Sequence, residues 1–158
     1  MSSIVPLARE TIAVRHAPRP PIAPTAPAVP PTASALLTQV RVDANSLAQS
    51  RANALIIGDQ LAVMRVLGII WPTLKKSVRW VEGTRLSLPL EPDGTLILEE
   101  ADRLSERAQA DLLEWLNHHG QSVRVLTTAS RPLFPLVEAG SFLDSLYYRL
   151  NHVVIAAR

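Results

Sequence analysis

Two short apolar runs constrain this chain most: Ala54-Leu55-Ile56-Ile57 before Gly58, and Thr95-Leu96-Ile97-Leu98 after Asp93-Gly94. A strand with one wet face alternates apolar and polar residues. An uninterrupted run such as 54–57 instead marks a central strand covered on both faces, the usual condition of a parallel sheet between helices. The rest of the chain agrees, because strand-like and helix-like segments alternate from residue 54 onward.

Element by element, Asp59 caps a helix over Gln60 to Leu67 or slightly beyond, stopped by Pro72. A second strand spans Ser77 to Glu82, and the third, Gly94 to Glu99, follows the tight turn at Asp93-Gly94. Ser105 caps a helix from Glu106 to about His118 with Ala108, Leu112, Leu113, Trp115 and Leu116 on its apolar face, and Gly120 ends it. Ser122 to Ala129 reads as a fourth strand. Pro132 opens a short helix through Glu138, Ser141 to Leu150 gives another, and Val153-Val154-Ile155 closes the sheet as a fifth strand. Upstream, residues 34–52 carry Leu36, Leu37, Val40, Leu47 and Ala48 with few breakers and read as one short amphipathic helix or two.

Residues 1–33 are a different kind of chain. Eight of the 13 prolines fall within residues 1–31, and proline removes amide donors while fixing φ. The expectation is a disordered, extended tail preceding one folded domain over 34–158. The 47% hydrophobic content suffices for that domain's core.

Charge and cysteine usage exclude several classes of function. Net charge is +2, but the tail supplies Arg9, Arg15 and Arg19 against Glu10 alone. The domain is therefore close to neutral, with no basic stripe interleaved with aromatics, and direct DNA binding is not expected. There is no cysteine, hence no disulfide, thiolate metal site or thiol nucleophile, which fits a cytoplasmic protein. Arg9, Glu10, Arg15 and His16 interrupt any export signal, and Val66 to Trp71 is too short to span a bilayer. His118-His119 sits where imidazolium complements a helix C-terminus rather than where a metal is held, since adjacent helical residues point apart. His152 reads as structural, and Trp71, Trp80 and Trp115 read as core or edge packing rather than base-stacking platforms.

Four segments, in order, resemble the central AAA+ domain of bacterial enhancer-binding proteins, which remodel RNA polymerase holding sigma-54. Gly94-Thr95-Leu96-Ile97-Leu98-Glu99-Glu100 is similar to that family's Walker B strand, GTLFLDE, and Leu104 to Leu116, with Gln109 and Leu112-Leu113, to the helix after it. Val123 to Ser130 resembles the sensor I strand, VRVIAATN. Gly140 to Asn151 resembles GxFRxDLYYRLN. The resemblance covers residues 94–156 and implies a three-layer α/β sandwich on a mostly parallel five-stranded sheet in the order 5-1-4-3-2.

Against that likeness stand the departures. The family's first strand leads into G-x-x-x-x-G-K-[ST], whose backbone amides and lysine hold nucleotide phosphates. This chain reads Gly58-Asp59-Gln60-Leu61-Ala62-Val63, with no lysine, no magnesium-binding hydroxyl and a carboxylate where phosphates would sit. Glu99 replaces the metal-organising aspartate and adds a methylene to a shell that tolerates little distortion, while Glu100 keeps the water-activating position. Ala129 and Ser130 replace the sensor Thr-Asn pair, and Leu143 replaces the first trans-acting arginine. Arg149 is left as the only finger-like residue, to act on a neighbour's nucleotide or to pair with Asp144 or another acid. The 11-residue link Gly83 to Asp93 cannot hold the family's GAFTGA loop. The lid domain and helix-turn-helix have no counterpart before Arg158.

The expectation is therefore a degenerate domain with a vestigial Walker B end at Glu99 and Glu100. It is not expected to be an enzyme and needs no cofactor, ATP and magnesium entering only if the vestige binds them. It is expected to act on sigma-54-dependent transcription by docking on an AAA+ activator or on sigma-54 polymerase. A residual ATP-binding regulator module and a scaffold unrelated to transcription are the alternatives.

Overall fold

In the computed structural model, residues 33–74 and 77–157 are described, so the proline-rich stretch lies outside them. The five strands are β1 (Ala54–Ile57), β2 (Val78–Glu82), β3 (Gly94–Glu99), β4 (Val123–Ala129) and β5 (Val153–Ala156), in the order β2-β3-β4-β1-β5. This is the order the resemblance implies. All four pairings are parallel; Leu55 and Leu98 both lie opposite Thr127, and Glu82 lies opposite Glu99.

The apolar runs become strands because helices cover both faces. On one side α1 (Ala33–Gln49) and α2 (Gln60–Ile70) bring Ala44, Leu47, Val66 and Ile70 against Ile56, Ile97, Leu126 and Ile155. On the other, α3 (Glu106–His119), α4 (Phe134–Glu138) and α5 (Asp144–Leu150) accompany a core in which Leu112, Leu116, Leu146 and Leu150 meet Leu55, Leu96, Leu98 and Val125. Full burial of each such side chain is worth about 1.5–3 kcal/mol. Consecutive residues of β1 and β3 therefore serve different cores, which is why neither run can afford a polar residue in its middle.

The helix ends follow local chemistry. Asp59 Oδ1 accepts from the Ala62 amide at 2.8 Å, and Ser105 Oγ from the Ala108 amide at 3.2 Å. Pro72 does not act as an abrupt stop: α2 runs to Ile70 and tightens into a 3₁₀ turn over Trp71–Thr73 that contains it. The first helix ends at Gln49, short of the expected residue 52, where the Ser50 amide bonds to Leu47 O and Ser50 Oγ caps the Ala52 amide.

Two expected helix starts are corrected. α4 begins at Phe134 rather than Pro132, because Leu133 is drawn into the core, 1% exposed. α5 begins at Asp144 rather than Ser141. Buried Gln109 reaches across from α3, donating to Leu104 O (3.1 Å) and Ser141 O (3.0 Å) and accepting from the Leu143 amide (2.8 Å), which holds 141–143 out of helix.

The link from β2 to β3 is held down at several points. Leu86 and Leu88 pack on the core, and Trp115 donates its indole N–H to Pro89 O at 2.9 Å. Gly94 then opens β3 at φ +88°, with its Cα against the Ser77 backbone, so no side chain fits there. At the sheet edge, Trp80 of β2 lies 6.3 Å from Trp71 between ring centroids, both rings about half exposed. This is the edge packing expected of them.

Candidate functional site

Parallel α/β sheets present their ligand sites where the carboxyl ends of the strands open into a crevice. Here that rim is a cleft of about 390 Å³ bounded by Gly58 and Asp59 after β1, Glu82 ending β2, Glu99 and Glu100 ending β3, and Ala129 and Ser130 ending β4. The structure thus brings together all the sequence-predicted positions of this end except Arg149. It also adds Glu82, which sequence reasoning missed. The signal was available: β2 and β3 both finish on glutamate, and adjacent parallel strands in register put those two side by side.

Each predicted residue has a definite local role. Gly58 donates its amide to Ala129 O at 3.0 Å and presses against the Ala157 carbonyl, where a Cβ would collide. The turn after β1 is consequently tight rather than a wide loop. Asp59 places its carboxylate over the start of α2 and bonds the Ala62 amide, so one of the orphan donors of that terminus is served from within the chain.

Glu99 is half-buried at the strand end. Burial first, then the carboxylates of Glu82 and Glu100, push its pKa above the usual glutamate value. Glu100 follows in the left-handed region (φ 52°, ψ 48°), a conformation costing about 1–2 kcal/mol for a residue with a Cβ. That turn directs its amide to Thr128 Oγ1 (3.3 Å), and its carboxylate is engaged by Arg103, whose Nη1 donates to both oxygens at 3.1 and 3.2 Å.

At the end of β4, Ala129 is buried and has no polar side-chain atom to offer. Ser130 faces Asp102: its amide and hydroxyl donate to the two carboxylate oxygens at 3.2 and 2.7 Å, and Arg131 approaches the same group at 3.6 Å. Asp102, only 5% exposed at its side chain, is a polar anchor that the sequence reading did not single out.

Arg149 stands apart from this cleft, on α5. Its Nη2 donates to Asn117 Oδ1 at 2.8 Å rather than pairing with Asp144. The correction is geometric. Residues five apart on a helix diverge by about 140°, whereas partners on a shared face are three or four apart. Leu143 and Tyr148 near it are exposed, at 38% and 62%. Among the described residues no histidine and carboxylate cluster suited to a metal ion is found, His118 Nδ1 lies 2.8 Å from Glu114 O, and no helix is long and apolar enough to cross a membrane.

Chemically, the cleft gathers four carboxylates, and among the described residues no lysine or arginine lines it. Such a wall attracts cations and opposes polyanions.

The sequence profile of the sigma-54 interaction domain family matches residues 71–157. Among curated relatives, the probable pathogenicity-locus regulatory protein HrpR of Pseudomonas syringae pv. syringae is 32% identical over 112 residues, 63% of this chain and 34% of its own. The chain spans about a third or less of the length of the first curated relatives it matches. Of solved structures, NtrX from Brucella abortus in complex with ATP aligns with a TM-score of 0.67 at 17% identity, over 80% of this chain and 36% of that one. The P-loop NTPase domain of an Escherichia coli sigma-54 activator aligns with a TM-score of 0.61 at 17% identity, over 80% of this chain and 97% of that one. At these identities the structural likeness establishes the fold.

Proposed function

Because this chain belongs to the sigma-54 interaction domain family, we propose that it acts in the regulation of sigma-54-dependent transcription as a docking module that does not hydrolyse ATP. The observation that carries this reading is the start of α2. A phosphate-binding loop leaves its helix-terminal amides open to the nucleotide and adds a lysine. Here the Asp59 carboxylate caps the Ala62 amide, and Glu82, Glu99 and Glu100 complete an acidic wall.

The magnitudes favour exclusion. A phosphate charge roughly 6 Å from one carboxylate is disfavoured by about 3 kcal/mol at an effective dielectric of about 20, before salt screening. Four carboxylates make the cleft a poor match for a triphosphate, and Glu100 and Ser130 are already engaged with Arg103 and Asp102. Ala129 supplies no group to sense a γ-phosphate.

What remains for partner binding is the face around α5. Arg149 is exposed and held by Asn117, and Leu143 at the start of the same helix and Tyr148 within it are exposed as well. The reading assigns this face to an AAA+ activator or to polymerase holding sigma-54. The test has two arms: calorimetric titration with Mg-ATP alongside a phosphate-release assay, and capture of purified AAA+ activator and of sigma-54 polymerase on the immobilised chain. The expected result is no heat of binding and no hydrolysis, with one partner captured and Arg149→Ala weakening that capture. Micromolar ATP affinity, or failure to capture either partner, overturns it.

A further inference from the structure

The opposite end of the sheet, where the strands begin, has the reverse chemistry. The end of α1, the turn at Pro72 and Thr73, and the first residues of β3 and β4 enclose a cleft of about 730 Å³. That lies within the range of small-molecule sites, about 300–1,000 Å³. Two guanidinium groups, Arg51 and Arg124, line it, and no aspartate or glutamate among the described residues does. A neighbouring recess of about 160 Å³ shares both arginines and adds the exposed His152.

Arg124 is oriented but not neutralised. Its Nε donates to Ala52 O at 3.2 Å and its Nη2 to Leu47 O at 2.7 Å, both neutral carbonyls. Arg103, Arg107 and Arg131 each approach a carboxylate instead. Burial, and then the neighbouring Arg51, oppose the charged form of Arg124. The carbonyl bonds leave Nη1 free among the described residues, and Arg51 likewise makes no bond there. Two like charges sharing one cleft, the inner one half-buried and fixed by its backbone bonds, form a fork for an oxyanion. Ala48, Pro72 and Leu74 add apolar surface to the same cleft.

We propose that this cleft binds a small organic anion, its phosphate or carboxylate held between Arg51 and Arg124 and its apolar body against Ala48, Pro72 and Leu74. The proposal is independent of the reading of the acidic cleft.

The probe is phenyl phosphate, titrated calorimetrically into the full chain at low salt. Saturable one-to-one binding is expected, weakened about 10-fold or more by Arg51→Gln, as befits loss of one charge-assisted hydrogen bond. Arg51 makes no bond among the described residues, so this variant should melt with the parent; Arg124→Lys, keeping charge but losing the fork, should also weaken binding. Benzoate tests a carboxylate head on the same body, and binding by either head supports the site. Absence of binding by both at millimolar concentration, binding unchanged by Arg51→Gln, or inorganic phosphate binding as tightly as phenyl phosphate overturns the proposal.

Discussion

Thr127 sits at the centre of β4, fully buried, and its hydroxyl has no hydrogen-bond partner among the described residues. Leu55 and Leu98 flank it on the neighbouring strands, and Val125 and Ala129 share its face of the sheet. Replacing it with valine keeps the branched shape and exchanges an orphaned hydroxyl for a methyl. Burying a hydroxyl without a partner costs about 1–3 kcal/mol in protein mutational data, and an added buried methyl gains roughly 0.8 kcal/mol. Allowing for imperfect fit, Thr127→Val should stabilise the domain by about 1–2 kcal/mol, or about 4–8 °C in Tm. Thr127→Ser, which keeps the hydroxyl and deletes the methyl, should destabilise by about 1 kcal/mol. Urea unfolding followed by circular dichroism reads both as shifts of midpoint at constant slope. If the valine variant is no more stable than the parent, the hydroxyl is satisfied in the folded protein and the reasoning fails.

Three further outcomes follow from the same contacts. Asp59→Ala should cost about 1 kcal/mol through the lost cap, whereas Asp59→Asn should stay within a few tenths while removing the charge, both measured by urea unfolding. Glu99 is harder to ionise folded than unfolded, so its contribution to stability is present at acid pH and lost as pH rises above the ordinary value of 4.5 through the raised folded value. Glu99→Gln should therefore be more stable than the parent at neutral pH, with the difference vanishing in acid; a constant offset across pH would contradict this. Gln109→Ala should lower stability by about 2–4 kcal/mol in calorimetry, because it strands two carbonyls and the Leu143 amide together.

Strands were the most legible part of the sequence, since a run such as Ala54–Ile57 has to serve two cores and leaves little else it can be. Helix α3 was legible from its ends, Ser105 and Gly120. What could not be read was set across the chain. Ser141 looks like the first residue of a helix until Gln109, 32 residues earlier, takes its carbonyl, and Arg149 looks like a partner for Asp144 until Asn117 on another helix proves to be in reach. In the candidate cleft, Glu99, Glu100, Ala129 and Ser130 were found from their motif positions. Glu82 and Asp102 were not, because the first needs strand register and the second a turn that aims it at Ser130. The cationic cleft was invisible for the same reason: Arg51 and Arg124 are far apart in sequence, and only the parallel sheet brings them to one end.

The Trp71–Trp80 contact gives the protein a built-in optical gauge. Two indoles 6.3 Å apart couple their transitions, and the resulting near-ultraviolet signal depends on β2 lying against the end of α2. β2, like β5, pairs on one side only, so it opens locally more readily than the three central strands. Loss of that band ahead of the far-ultraviolet signal would time the opening of the sheet edge separately from global unfolding, without any added label.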